Sequence, residues 1–160
     1  MRYEWCDYSA DDAETVDGWM DEDARCDTGC DDGWDAYITA MYGEDYIRVG
    51  ENFRCKVIFS EHQPIAAVAC YLAEDGTLCV SEFVVRPDGR GKGHGRTILR
   101  ELLCHADAIL GWKHRAAQAV IFPNNKASIR AFEAAGFRFT HAHPDGDAWY
   151  YKYDIPNPDG

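Results

Sequence analysis

Glycines at 89, 91, 93 and 95 alternate with Arg90, Lys92, His94 and Arg96 in the middle of this chain. Glycine has no Cβ, so backbone amides in such a run can approach a ligand directly. The next residues have helical periodicity, and a helix start presents unpaired N–H groups and the positive end of its dipole. Basic side chains, bare amides and a helix N-terminus together make an anion site, and a phosphate-bearing ligand is the chemistry they imply.

Two common phosphate fingerprints do not fit. The NTPase loop places Ser or Thr after its lysine to bind magnesium, whereas Gly93 follows Lys92 and no glycine stands five residues before Gly91. The dinucleotide pattern would need a third glycine at 96, which is Arg96, and its loop follows the first strand of a βαβ unit. Here the loop follows the last strand of a meander.

The elements that must hold this loop can be read from periodicity. Arg2–Asp7 is a candidate first strand, and Ser9–Asp12 has the pattern of a helix N-cap. Gly33–Tyr42 reads as a second helix, with residues 20–32 as loop between the two. Phe53–Ser60, Ile65–Ala73 and Thr77–Val85 are strand-like runs separated by turn signals at Glu61–Pro64 and Glu74–Gly76. Leu99, Leu102, Leu103, Ala106, Ile109 and Leu110 fall on one face of a helix over 95–110, stopped by Gly111. Gln118–Phe122 is a strand, Ala127–Ala135 a helix ended by Gly136, and Phe137–Thr140 and Ala148–Asp154 two closing strands. The expected fold is α/β, with a central mixed, mostly antiparallel sheet and about four helices. The strand–helix–strand in its middle should be a parallel crossover.

The 160 residues are 46% hydrophobic and 28% charged, which fits one domain over 1–160. No apolar run approaches the length of a transmembrane helix, so no membrane partner is expected. The net charge of −12 argues against nucleic acid. Thirteen of the 28 acids, against Arg2 and Arg25 alone, lie in the first 35 residues. That excess is either a solvated surface or a wall that attracts a cation. The aromatics among it, Trp5, Trp19, Trp34, Tyr37 and Tyr42, suit either core packing or an ammonium.

The seven cysteines are an odd set, and no secretion signal precedes them. Free thiols and a cytoplasmic location are expected. Cys26 and Cys30, with Cys6 upstream, lack the fourth ligand and tight spacing of a zinc site, so no metal is expected. Cys55, Cys70, Cys79 and Cys104 read as small core hydrophobes. His141 and His143 read as turn residues.

The segment Arg90-x-x-Gly93-x-Gly95, preceded by Phe83-Val84-Val85-Arg86-Pro87, resembles the pyrophosphate-binding motif of the GNAT acetyltransferase superfamily. About 30 residues on, Asn125-Lys-Ala-Ser128-Ile-Arg-Ala-Phe132-Glu133-Ala-Ala-Gly136-Phe137 is similar to that family's second stretch. The likeness covers roughly 53–154, and residues 1–50 match only in their two-helix layout. It implies an acetyl-CoA-dependent N-acetyltransferase, a cofactor-binding body at 53–154 and acceptor-side helices at 1–50. A small cationic amine is the implied acceptor, with protein N-acetylation or a non-catalytic acyl-CoA-binding domain as alternatives. A homodimer is possible in such a family.

The same resemblance assigns roles. Backbone groups of Arg90, Gly91, Lys92, Gly93, His94, Gly95 and Arg96 cradle the pyrophosphate. Phe83 and Val85 pair with the pantetheine arm, and the amide of Val84 or Val85 faces the oxyanion. Asn125 meets the pantetheine end, caps the next helix, or does both. Glu82 is the candidate base, directly or through water. Phe132 stands where the family often has a tyrosine that protonates the departing thiolate. Phenylalanine cannot donate, which leaves water, an unprotonated thiolate, or one of Tyr150, Tyr151 and Tyr153, of which Tyr151 is the named candidate.

Overall fold

The computed structural model describes residues 1–28, 30–42 and 52–154. One seven-stranded sheet runs through it: β1 (Glu4–Asp7), β2 (Phe53–Ser60), β3 (Gln63–Leu72), β4 (Thr77–Val85), β5 (Ala116–Ile121), β6 (Arg138–Ala142) and β7 (Trp149–Asp154). The spatial order is β1-β2-β3-β4-β5-β7-β6, antiparallel throughout except for the β4–β5 pair. The meander follows from its turns. Ser60 pairs with Gln63 across Glu61 and His62, whose positive φ values of 50° and 66° suit a tight two-residue hairpin.

Six α-helices occur among the described residues, where about four were expected: α1 (Ala13–Asp17), α2 (Glu22–Thr28), α3 (Trp34–Tyr42), α4 (His94–Cys104), α5 (Ala106–Leu110) and α6 (Lys126–Ala135). Two corrections make up the difference. Residues 20–32 are not all loop, because the Asp21 carboxylate accepts from the Ala24 amide at 2.7 Å and starts α2 there. The helix over 95–110 is two helices broken at His105, whose φ of −126° leaves the helical region. Both pieces keep the same buried face, so the apolar spacing runs on through the break. Cys104 is also corrected: it sits exposed at the end of α4, while Cys55, Cys70 and Cys79 are buried.

The core divides between the two faces of the sheet. Leu99, Leu102, Ile109 and Leu110 from α4 and α5 pack with Val68, Leu78, Val80 and Phe83 on one face. On the other, Val16, Trp19, Trp34 and Ile38 from the N-terminal helices cover Val57, Ala67, Ala69 and Val84. Strand alternation places odd and even positions of β3 on opposite faces, as a two-sided sheet requires. Part of 1–50 beyond Tyr42 lies outside the described residues, as does the side chain of Tyr42.

Candidate functional site

Two cavities meet along the C-terminal half of β4. Their common wall exists because β4 and β5 part company. The parallel ladder pairs Thr77–Val80 with Ala116–Ala119 and goes no further, although β4 continues to Val85. The backbone from Ser81 to Val85 therefore has no strand partner on its β5 side, which is where an extended ligand could add hydrogen bonds.

The first cavity, about 480 Å³, lies over the glycine loop and the start of α4. Gly91 and Gly93 have φ of 76° and 83°, and a Cβ at either would meet nothing within 4 Å. These glycines are thus needed for their backbone conformation, and the space above them is open. Gly93 is the N-cap of α4, so the first amides of an 11-residue helix point into this space. Phe83, Val84, Val85, His94 and Arg96 line the same cavity, whereas Lys92 is exposed and does not.

Arg90 behaves differently from its neighbours. Its Nε donates to the Val85 carbonyl at 3.0 Å and its Nη2 to the Trp19 carbonyl at 3.2 Å, with Asp21 3.7 Å away. It borders the cavity, but its guanidinium ties the loop to the segment before α2. His94 is also engaged: its Nδ1 lies 3.1 Å from the Tyr3 hydroxyl. Beside them, the Glu101 carboxylate accepts from the Arg2 and Tyr3 amides and from the Trp5 indole. Strand β1 is thereby fixed to the helix that carries the loop.

The second cavity, about 330 Å³, lies on the far side of Phe83. Glu82, Tyr37, Tyr71 and Gln118 line it, and Glu82 is its only charged side chain among the described residues. A β-bulge puts Glu82 there. Ala69 pairs with Glu82 but Cys70 pairs with Val80, so Ser81 is an extra residue and the alternation of β4 changes phase. Leu78 and Val80 face the α4–α5 core, and after the bulge Phe83 does so instead. Glu82 turns to the opposite face.

Desolvation in that position pushes the Glu82 carboxyl up to about 8, offset in part by a hydrogen bond from the Tyr37 side chain. Such a group holds a proton near neutrality and exchanges it readily, the property required of a general base. Cys30, buried nearby, is pushed up to about 12 by burial and then by the Glu82 charge, and stays a neutral thiol.

Asn125, Ser128, Thr28 and Phe83 line both cavities and form their junction. The Asn125 side chain accepts from the Ser128 amide at 3.2 Å, capping α6 while remaining at the cavity wall. Phe132, one turn further along α6, stacks edge-on against Phe83 and Phe137 and closes the second cavity. Tyr151 is not brought to the site. It is 2% exposed and packs in the core against Phe139, and it borders neither cavity. Tyr150 stacks on His141 and Tyr153 on Phe137, so neither reaches the junction.

Of the N-terminal acids among the described residues, only Asp23 borders either cavity, and it lies on the loop side. Asp7, Asp11, Glu14, Asp31 and Asp32 are exposed. Trp19 and Trp34 are core residues, leaving Tyr37 as the N-terminal aromatic at the second cavity. Sequence reasoning passed over Thr28, Tyr71, Gln118 and the hydroxyl of Ser128. Tyr71 could have been noticed as a polar-tipped ring in an apolar strand, and Ser128 from its place one turn before Phe132. Thr28 gave no signal. No helix among the described residues is long and apolar enough to cross a membrane.

Residues 11–137 match the acetyltransferase (GNAT) family model. The chain is 29% identical over 113 residues to the uncharacterized N-acetyltransferase YfmK of Bacillus subtilis (strain 168), covering 68% of this chain and 72% of that protein. Its fold is similar to that of AAC(6')-Ib in complex with paromomycin and acetyl-CoA, with a TM-score of 0.74 at 19% identity over 96% of this chain and 94% of that one. It is likewise similar to spermidine N-acetyltransferase from Vibrio cholerae in complex with CoA and spermine, with a TM-score of 0.75 at 13% identity over 96% and 95% of the two chains. At these identities the two structures show a shared fold.

Proposed function

The chain belongs to the acetyltransferase (GNAT) family, and on that premise we propose that it moves the acetyl group of acetyl-CoA to a primary amine of a small cationic acceptor. The amides at the start of α4 hold the pyrophosphate, with Arg96 supplying positive charge beside them. The unpaired side of β4 from Phe83 to Val85 hydrogen-bonds the peptide-like arm. The amide of Val84 or Val85 stabilises the oxyanion that develops when the thioester carbonyl is attacked. Asn125 meets the end of the arm at the cavity junction.

An alkylammonium must lose a proton before it can attack, at a cost of about 4 kcal/mol at neutral pH. Glu82 takes that proton, directly or through one water. The observation that carries the acceptor class is the lining of the second cavity. Its acidic side chain is Glu82, which an arriving ammonium draws toward the carboxylate form, and the rings of Tyr37 and Tyr71 stand beside it. Carboxylate and aromatic faces favour an ammonium over an anion or an apolar group. The spermidine and aminoglycoside complexes among the similar folds support the same class.

Thiol release from acetyl-CoA tests the reading across polyamines, aminoglycosides, simple alkylamines and peptides with free N-termini. Turnover with the small cations is expected. Turnover confined to peptides would displace the small-molecule acceptor, and tight CoA binding with no turnover on any amine would replace the enzyme with a binding domain.

A further inference from the structure

The acyl donor enters from the loop side and the amine from the Glu82 side, so the thioester has to sit where the two cavities join. Four residues line both: Thr28, Phe83, Asn125 and Ser128. When the tetrahedral adduct collapses, the C–S bond breaks and its electron pair goes to sulfur. A thiolate in a half-dry site is stabilised most by a hydrogen-bond donor aimed at it. Phe132 carries no donor, and Tyr151 is in the core.

Two hydroxyls are present at the junction. The Thr28 hydroxyl is committed, donating to the Ala24 carbonyl at 2.7 Å inside its own helix. The Ser128 hydroxyl donates to no described residue; its backbone amide is what meets Asn125. Ser128 is half-buried at the first turn of α6, four residues before Phe132 and so on the same helix face. Resting on the acetyl-transfer reading above, we propose that Ser128 is a catalytic residue whose Oγ–H donates a hydrogen bond to the departing thiolate sulfur.

Making an amide from an ammonium releases two protons. Glu82 passes the first, taken before attack, to solvent water and receives the second from the nitrogen of the tetrahedral adduct, while sulfur leaves with the bonding pair as a thiolate. The serine keeps its proton, because an alcohol is a far weaker acid than a thiol. The thiolate acquires its own proton from water after it leaves the site. Ser128 therefore supplies stabilisation rather than acid catalysis, and the rate of C–S cleavage depends on it while binding of CoA does not.

The test compares Ser128→Ala, Ser128→Thr and the double variant Ser128→Ala/Phe132→Tyr with the wild type. The measurements are single-turnover acetyl transfer to whichever amine the panel identifies, and CoA affinity by calorimetry. Ser128→Ala is expected to slow transfer by about ten- to a hundredfold, with CoA affinity within about threefold. Ser128→Thr, which restores the hydroxyl, or the new hydroxyl of Phe132→Tyr is expected to recover at least about tenfold of the loss.

A transfer rate for Ser128→Ala within about threefold of the wild type would overturn the proposal. So would a loss matched by an equal fall in CoA affinity, which marks a structural role, or failure of both hydroxyl-bearing variants to recover activity. A larger loss in Thr28→Val than in Ser128→Ala would move the role to that hydroxyl. A wild-type protein that releases thiol with no amine overturns both this inference and the transfer reading, while turnover insensitive to Ser128 overturns this inference alone.

Discussion

Ser81 Oγ donates to the Ala69 carbonyl at 3.1 Å, across the point where the β3–β4 register slips by one residue. That contact fastens the extra residue that turns Glu82 away from the α4–α5 core and into the second cavity. Without the slip, Leu78, Val80 and Glu82 would share a face, and a carboxylate would be driven among Leu99 and Leu102. Burying an unpaired carboxylate there would cost several kcal/mol.

Deleting Ser81 would join Val80 to Glu82 in a regular ladder, with Val80 still opposite Cys70 and Glu82 still opposite Ala69, so the deletion is not expected to turn Glu82 inward. Ser81→Ala keeps the extra residue and loses one hydrogen bond, about 1 kcal/mol, or roughly 2–4 °C in Tm for a chain of this size, with turnover retained. Thermal denaturation and turnover measured on Ser81→Ala check this. Loss of turnover in a variant that still melts within a few degrees of the wild type would mean that the hydroxyl, and not the extra residue alone, directs Glu82.

The raised carboxyl of Glu82 predicts the pH dependence of turnover. A base must be unprotonated, so kcat/KM should rise with pH through a limb near 8, and the matching limb in kcat should lie lower to the extent that a bound cation stabilises the carboxylate. Glu82→Gln should lower kcat/KM by about 10²–10⁴ and remove that limb. A pH–rate profile for both proteins decides it, and an unchanged limb in the variant would assign the titration to another group.

The same shift has an opposite consequence for stability. The folded carboxyl titrates near 8, well above its ordinary value of 4.5. Between those values the folded protein holds a proton that the unfolded chain has lost. Stability that Glu82 contributes is thus fully present below about 4.5 and is lost as pH rises through 8. Glutamine does not titrate, so Glu82→Gln should gain on the wild type across that interval, by about 1–3 kcal/mol once cavity water is allowed for. Melting curves at pH 5 and pH 9 would show the difference opening at the higher pH.

These effects also mark how far the sequence could be read. Phe53–Ser60 and Thr77–Val85 were legible to the residue because clean turns bound them and β-branched and aromatic residues fill them. The loop and the cap at Asn125 were legible because glycine and asparagine there answer local backbone demands. The face of Glu82 was not, since a bulge leaves no mark in an alternating apolar run. Helix α2 was hidden because Asp21, its cap, is one acid among many and, of its described hydrophobic side chains, Ala24 packs inward. The −12 charge left a solvated surface and a cation-attracting wall both open; the exposed N-terminal acids mostly face water, and the carboxyl at the second cavity comes from β4.

Arg90 joins the loop to the segment before α2 through the Trp19 carbonyl and the Asp21 carboxylate, and to the end of β4 through the Val85 carbonyl. Arg90→Ala should lower Tm by about 2–4 °C per kcal/mol lost, and raise the KM for acetyl-CoA several-fold by freeing the loop. Asp21→Asn should change Tm by little, since the exposed 3.7 Å ion pair contributes about 0–1 kcal/mol. Melting and acetyl-CoA saturation curves on the two variants separate the carbonyl contacts from the charge. Equal losses would give the ion pair the larger share.

Gly95 and Gly93 should fail for different reasons. A Cβ on Gly95 would stand 3.1 Å from the Ala131 Cβ, so α4 and α6 are held together by the absence of that atom. Gly95→Ala gains about 0.5–1 kcal/mol of helix propensity but pushes α4 away from α6, and with it the amides proposed to meet the pyrophosphate. CoA affinity should fall several-fold, and Ala131→Gly in the same protein should restore most of it, a coupling expected of residues in contact. Gly93→Ala meets no neighbour, but its φ of 83° costs an L-residue about 1–2 kcal/mol, and Ala131→Gly should give no relief. Calorimetric CoA binding across the two cycles separates the mechanisms, because recovery of the Gly93 variant by Ala131→Gly would contradict a purely local backbone cost.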